Sequence, residues 1–115
     1  MKTSALILLL LLHAGQLPAA SEVDELIKKG AVHDDQRKAN DALKYYLPAE
    51  KLEPDNAGLM VRIARQYSYL MTEAGTDSDK MQLGTTALAY AERAVKLDPN
   101  LCDAHLSVAI CHGKM

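Results

Sequence analysis

A short segment that occurs twice decides the fold of this 115-residue chain. It reads AEKLEPD at residues 49–55 and returns as AVKLDPN at residues 94–100, with alanine, lysine, leucine and proline in the same places. Proline cannot continue the hydrogen-bond ladder of a helix, and an acidic or amide residue beside it can cap the next helix. Each copy therefore predicts the end of one helix and the start of another, as expected for a repeat protein.

Apolar residues at helical spacing occupy the sequence on both sides of these copies. Five helical patterns follow residue 20, separated by turns at residues 33–36, 53–56, 76–79 and 98–100. Ser21, with an acidic residue three positions later, is typical of a helix N-cap. No window alternates with period two over the length of a strand, so the sequence predicts an all-α fold of about two and a half antiparallel helix hairpins.

The spacing of small and aromatic residues around these prolines resembles the tetratricopeptide repeat. That unit is a helix–turn–helix of 34 residues, with small residues at positions 8, 20 and 27, aromatics at 11 and 24, and proline at 32. With Pro54 at position 32, Tyr46 falls at position 24. The small residues of the first unit are then Gly30, Ala42 and Ala49. The resemblance implies hairpins stacked as a short α-solenoid.

The second unit of this repeat is longer than the first. Pro99 follows Pro54 by 45 residues, which is 11 more than the 34 of the family's unit. The small residues at its corresponding positions are Ala64, Ala87 and Ala94. We therefore expect the excess around residues 71–81.

Two features depart from a regular array. Pro48 lies within the second helical pattern, where proline costs about 3 kcal/mol, so the helix is expected to break at Leu47 or to bend there. The last pattern begins at Cys102 and carries the apolar residues Leu106 and Ile110, with no helix after it to cover them. This predicts a truncated chain, a dimer or an error in the reading frame.

Two further segments resemble the regulator of microtubule dynamics family. They are RIARQY at residues 62–67, before the lengthened region, and ALAYAERA at residues 87–94, after it. The likeness extends over about residues 43–115. It implies a helical scaffold for protein–protein interaction through a concave groove, without enzyme chemistry. The alternative function is a fragment or assembly subunit that docks or self-associates through its open C-terminal helix.

The first twenty residues predict a secretory signal peptide. One positive charge at Lys2 precedes an apolar run at residues 5–12, and small residues follow Pro18. The run is less than half of the roughly 20 residues that a membrane span needs. We therefore expect cleavage after Ala19 or Ala20, an exported (periplasmic or secreted) helical domain at residues 21–115, and no stable membrane span. An uncleaved anchor or a buried helix are the alternatives. Export fits bacterial relatives of the family better than a microtubule role.

Composition and motifs argue against several classes of function. Lys and Arg number 13 against 15 Asp and Glu, so no basic stripe for nucleic acid is expected. The sequence contains no phosphate-binding glycine loop, HExxH run or nucleophile elbow, so we expect neither catalysis nor a cofactor.

Neither the cysteines nor the acidic residues predict a metal site. Cys102 and Cys111 lie about 13 Å apart along a helix, which is too far for a disulfide, so they are either buried or free for intermolecular pairing. Together with His105 they lack the tight spacing of a zinc site. Asp77 and Asp79 lack the glutamate that a calcium loop requires.

The candidate partner-binding residues are Arg62, Arg65 and Tyr69. In tetratricopeptide repeats the first helix of each unit lines the concave face, and the family's concave positions in the second unit are Val61, Arg62, Arg65, Ser68 and Tyr69. Two guanidinium groups three residues apart could bind the carboxylate of an acidic peptide through forked hydrogen bonds. The alternative is that they pair with neighbouring acids of the chain. The carboxylate clamp of chaperone-binding relatives is not matched, because Ile27 and Ala31 occupy its polar positions.

Overall fold

The computed structural model describes residues 18–115, with side chains from residue 22. The helices are α1 (Pro18–Asp35), α2 (Ala39–Leu52), α3 (Ala57–Glu73), α4 (Asp77–Leu97) and α5 (Cys102–Lys114). Residues 18–115 contain no β-strand, which confirms the predicted all-α class. The predicted signal peptide lies mostly outside the described residues. None of the five helices is both long enough and apolar enough to cross a membrane.

Successive helices pack as hairpins. In the second hairpin the Met71 sulfur lies against Gly84, and Tyr67, one turn earlier in α3, stacks on Tyr90 with ring centroids 5.8 Å apart. Moving back along α3 therefore means moving forward along α4, so the two helices run antiparallel. Helices α1 and α2 form the first hairpin, and α5 packs against both α3 and α4.

Small residues lie where the helices approach most closely. All six small residues that the repeat alignment placed at equivalent positions are buried. Gly30 is the tightest case, because a Cβ atom there would overlap ring carbons of the fully buried Tyr46. The other members of the set have no exposed surface: Ala42, Ala49, Ala64, Ala87 and Ala94. This spacing is therefore what brings the helices of each hairpin into contact.

Three predicted boundaries were wrong. Helix α1 begins at Pro18, so Ser21 lies within it rather than capping it, and it continues to Asp35, leaving a turn at residues 36–38. Helix α4 begins at Asp77, with the Thr76 hydroxyl accepting a hydrogen bond from the backbone N–H of Asp79 at 3.1 Å. The polar residues taken for a loop suit a first helical turn, where acidic side chains meet the positive end of the helix dipole.

The extra residues of the second unit are therefore helical. They lengthen both arms of the second hairpin, to 17 residues in α3 and 21 in α4, against 14 in α2. Only residues 74–76 connect these arms.

Pro48 does not break its helix. Helix α2 continues through it from Ala39 to Leu52, contrary to the predicted break at Leu47. Pro48 is exposed, as is Lys44, whose carbonyl loses its helical partner because proline has no N–H. Water can bind that carbonyl at the surface, which keeps the cost of the interruption low.

Candidate functional site: the groove between α3 and α5

A groove of about 490 Å³ runs between α3 and α5. We call it the α3–α5 groove. Its α3 wall consists of Val61, Arg65, Ser68 and Tyr69. Its α5 wall consists of Asp103, Leu106, Ser107, Ile110, Cys111 and Lys114.

The α5 wall is apolar in the middle and charged at its ends. Leu106 is 58% exposed and Ile110 is 43% exposed, and residues four apart are neighbours on a helix surface. Asp103 stands one turn before this pair and Lys114 one turn after it. The groove therefore offers an uncovered apolar surface with a carboxylate at one end and an ammonium group at the other.

The α3 wall is held by an ion pair with the first hairpin. Arg65 donates two hydrogen bonds to the carboxylate of Asp34, from Nε to Oδ1 at 3.1 Å and from Nη2 to Oδ2 at 2.6 Å. The Asp34 side chain is 5% exposed and that of Arg65 is 42% exposed. A forked pair of this kind fixes the direction of the guanidinium as well as its position.

Two further side chains complete this network, which we call the inner tie. The Tyr46 hydroxyl donates to Asp34 Oδ2 at 3.0 Å, and Arg62 Nη1 donates to the Tyr46 oxygen at 3.4 Å. Burial alone would raise the pKa of Asp34, but the hydrogen bonds and charge of Arg65 outweigh burial and hold that pKa below its usual value. The donors also offset the unfavourable position of a carboxylate at the C-terminal end of α1.

Tyr69 is held by a residue in an unusual backbone conformation. Arg37 has φ 57°, in the left-handed region, and its guanidinium carbon lies 4.6 Å from the centre of the Tyr69 ring. The backbone N–H of Lys38 donates to the carbonyl of His33 and that of Arg37 to Asp34, both at 2.9 Å. These are the bonds of a Schellman helix end, a site that usually carries glycine. Arginine at this position carries a cation to the rim of the groove.

Ser68 brings an unsatisfied polar atom to the α3 wall. The residue is 4% exposed, and its hydroxyl has no hydrogen-bond partner among the described residues. A buried hydroxyl without a partner is costly, so it favours a ligand that supplies one.

The cysteines occupy different environments on α5. Cys102 is exposed at the start of the helix, whereas Cys111 is buried beneath the groove. Burial raises the pKa of the Cys111 thiol, so it behaves as a small apolar side chain. Among the residues that the structure describes, no three His, Cys, Asp or Glu side chains are grouped as metal ligands.

Comparison with known families identifies the chain. Residues 19–115 match the family model of regulator of microtubule dynamics protein 1-3. The chain belongs to this family. The match confirms the predicted resemblance and extends it from about residue 43 back to residue 19. Comparison with curated proteins found no match, and comparison with solved structures found none.

In this member of the regulator of microtubule dynamics family, the predicted site residues lie in two places. Arg65 and Tyr69 line the groove, as do Val61 and Ser68 of the predicted concave set. Arg62 is not among the lining residues, and its guanidinium binds the Tyr46 hydroxyl. Arg65 does pair with an acid of the chain, although that acid is buried rather than on the surface. Partner binding by Arg62, Arg65 and Tyr69 stays a prediction.

Sequence reasoning missed how the rest of this family member completes the groove. Asp34 and Arg37 were assigned to a polar turn with no role. Leu106 and Ile110 were recognised as uncovered apolar residues, but their position opposite α3 was not predicted. One available signal was the apolar pair at i and i+4 with opposite charges one turn beyond it at each end, which marks a single helix face.

Proposed function

We propose that this protein is an exported, non-catalytic scaffold of the tetratricopeptide type, which binds a segment of a second polypeptide in the α3–α5 groove. The observation that carries the proposal is the exposed pair Leu106 and Ile110 facing the fixed α3 wall. Membership of a family of helical interaction proteins supports it.

The groove has the properties of a pre-formed docking surface. Covering apolar surface is favourable by about 25 cal/mol per Å², and Leu106 and Ile110 have not yet been covered. The ion pair of Arg65 with Asp34 orders the opposite wall before any ligand arrives, which reduces the entropy lost on binding. A helix with apolar residues at i and i+4 would fill such a groove.

A non-catalytic role is supported by the state of the reactive groups in the groove. Ser68 has no hydrogen bond to a base among the described residues, and burial raises the pKa of the Cys111 thiol. Asp34 is fully engaged by Arg65 and Tyr46. Nucleophilic catalysis needs an activated nucleophile beside a base, and these residues do not form such a pair.

The tetratricopeptide assignment is supported by the burial of small residues at the repeat's spacing. Gly30 and Ala64 occupy equivalent positions in the first helix of each hairpin, and both are buried. The lengthened second hairpin is a departure from the standard unit of about 34 residues.

A photo-cross-linking experiment tests the groove. A photoreactive phenylalanine analogue at Leu106, in the groove, should give a covalent adduct in the producing cell, and the same analogue at Glu92 on the outer face of α4 should not. Ile110→Asp should abolish the adduct at position 106 while the helical circular dichroism is unchanged. Equal labelling from both positions, or labelling that Ile110→Asp leaves intact, would remove the groove from the proposal.

Export is supported by the apolar run at residues 5–12, which precedes the family match. The intact mass of the protein isolated from its own host tests it. We expect a mass below the 12.6 kDa of the whole chain by the first 19 or 20 residues. A retained N-terminus on material recovered from the cell interior would contradict export.

A further inference from the structure

The α5 wall of the groove is complementary to itself. Asp103, Leu106, Ile110 and Lys114 lie with Ser107 within an arc of about 100° on one helix face, since each residue advances the helix by 100°. The face begins with a negative charge, continues through two exposed apolar residues and ends with a positive charge. A helix with this pattern presents to an antiparallel copy of itself the charges that the copy requires.

We propose that a second copy of this chain occupies the α3–α5 groove, with the two α5 helices antiparallel across a two-fold axis. This inference rests on the groove being the contact surface proposed above, and it names the occupant. In this arrangement Asp103 of each copy faces Lys114 of the other, so one surface forms two ion pairs. Leu106 and Ile110 of one copy cover the same residues of the other, as an isologous interface requires.

Charge decides the direction of the pairing. A parallel arrangement would place Asp103 against Asp103 and Lys114 against Lys114, which is repulsive at both ends. The antiparallel arrangement also opposes the two helix dipoles. Lys114 is free to turn toward a partner, because its hydrogen bond to the Thr72 hydroxyl is exposed and 3.2 Å long.

The interface is expected to be of moderate strength. One helix of 13 residues with an adjoining wall of α3 presents less than the roughly 800 Å² per partner of a standard stable complex. The dimer should therefore form with a dissociation constant in the micromolar range, so that its population depends on concentration.

Two single charge reversals test the pairing. Asp103→Lys and Lys114→Glu each replace both ion pairs by like-charge pairs, so each variant alone should dimerise at least about tenfold more weakly. When the two variants are mixed, the two substituted side chains face each other with opposite charges, and the unchanged Lys114 of one variant faces the unchanged Asp103 of the other. The mixture should recover association close to that of the wild type. Sedimentation equilibrium of the intact chain under reducing conditions, which keep the exposed Cys102 from forming disulfides, measures all three samples.

Matched controls lie on the outer face of α4. Glu92→Lys and Lys96→Glu change the net charge by the same amounts at exposed positions. They should leave the dissociation constant unchanged, and any association through the first 17 residues would affect all variants alike. Circular dichroism establishes that each variant remains helical.

The outcomes separate this inference from the proposed function. A wild type that stays monomeric at several hundred micromolar, a mixture that does not recover, or control variants that lose association equally would each overturn the dimer. If the dimer is absent while position 106 cross-links to a different protein, the groove proposal stands and the second copy falls. If neither dimer nor cross-link appears, both fall.

Discussion

Two polar networks join the first hairpin to the second, one on each side of the molecule. The inner tie pairs Asp34 of α1 with Arg65 of α3. On the other side, which we call the outer tie, Arg93 of α4 donates to Glu50 of α2 at 2.7 Å and to the Pro54 carbonyl at 2.6 Å. Each network thus uses one carboxylate from the first hairpin and one arginine from the second.

The tyrosine that completes each tie comes from a different hairpin. Tyr46, which donates to Asp34, belongs to the first hairpin, whereas Tyr90, which donates to Glu50 at 2.9 Å, belongs to the second. The carboxylates also differ in depth, since the Asp34 side chain is 5% exposed and that of Glu50 is 18% exposed. Burial and the hydrogen bond to Glu50 raise the pKa of Tyr90, so its hydroxyl stays protonated.

The comparison shows that similar chemistry serves different ends. The inner tie lies directly behind the groove, since Arg65 belongs to both. The outer tie instead holds the end of α2 and its following turn against α4. Damage to the inner tie should therefore alter both stability and the groove, whereas damage to the outer tie should alter stability alone.

The largest expected effect breaks the inner tie through Gly30. A Cβ atom there would overlap the ring of Tyr46, which is fully buried and cannot move aside. Overpacking costs roughly 1–3 kcal/mol, while replacing a helical glycine gains up to about 1 kcal/mol. Gly30→Ala should lower the free energy of unfolding by about 2 kcal/mol, measured by urea titration with circular dichroism.

Gly84→Ala is the matched control in the second hairpin. Its Cβ would meet side-chain atoms of Met71 and Met115, which are flexible enough to shift. The gain in helix propensity should offset that shift, leaving the free energy of unfolding within about 0.5 kcal/mol of the wild type. Equal losses at both glycines would contradict the special role of Tyr46.

The next effect compares the two arginines directly. Arg65→Met leaves a nearly buried carboxylate without its forked partner and should cost about 1.5 kcal/mol, at the lower end for hydrogen bonds to charged groups because Arg65 is partly exposed. Arg93→Met should cost about 0.5–1 kcal/mol, as for pairs nearer the surface. The same denaturation curves measure both, and a larger loss at Arg93 would reverse the comparison.

A pH titration sharpens the comparison at Asp34. Since the folded-state pKa of Asp34 lies below its unfolded value, its contribution is fully present above about pH 4 and is lost as pH falls through the folded-state pKa. Asp34→Asn should therefore be less stable than the wild type at pH 7, and the gap should narrow progressively below pH 4. A gap in the unfolding free energy that stays constant down to pH 2 would count against the ionised inner tie.

The smallest effect concerns Arg37 at the rim of the inner tie. Arg37→Gly removes the cost of a left-handed residue, roughly 1 kcal/mol, but also a cation–π contact of about 0.5–1 kcal/mol. The net change in unfolding free energy should be within about 0.5 kcal/mol. In a Tyr69→Leu background the same substitution should stabilise by about 1 kcal/mol. Identical effects in both backgrounds would show that the contact contributes nothing.

Local signals account for what the sequence determined by itself. Proline in residues 49–55 and 94–100 predicted the ends of α2 and α4, because a missing N–H ends a helix wherever the chain goes next. The regular spacing of Gly30, Ala42 and Ala49 likewise predicted close helix contact. The family followed from the same stretches of sequence.

The tertiary structure decided what lies opposite what. Arg65 meets Asp34 across 31 residues of sequence, and no local pattern specifies that distance. The helical rather than looped start of α4 at Asp77 depends on packing along the lengthened α3. Leu106 became part of a groove because α5 packs on α3 as well as on α4. Helix formation depends on neighbours along the chain, but a site depends on the angles at which separate helices cross, which only the packed molecule sets.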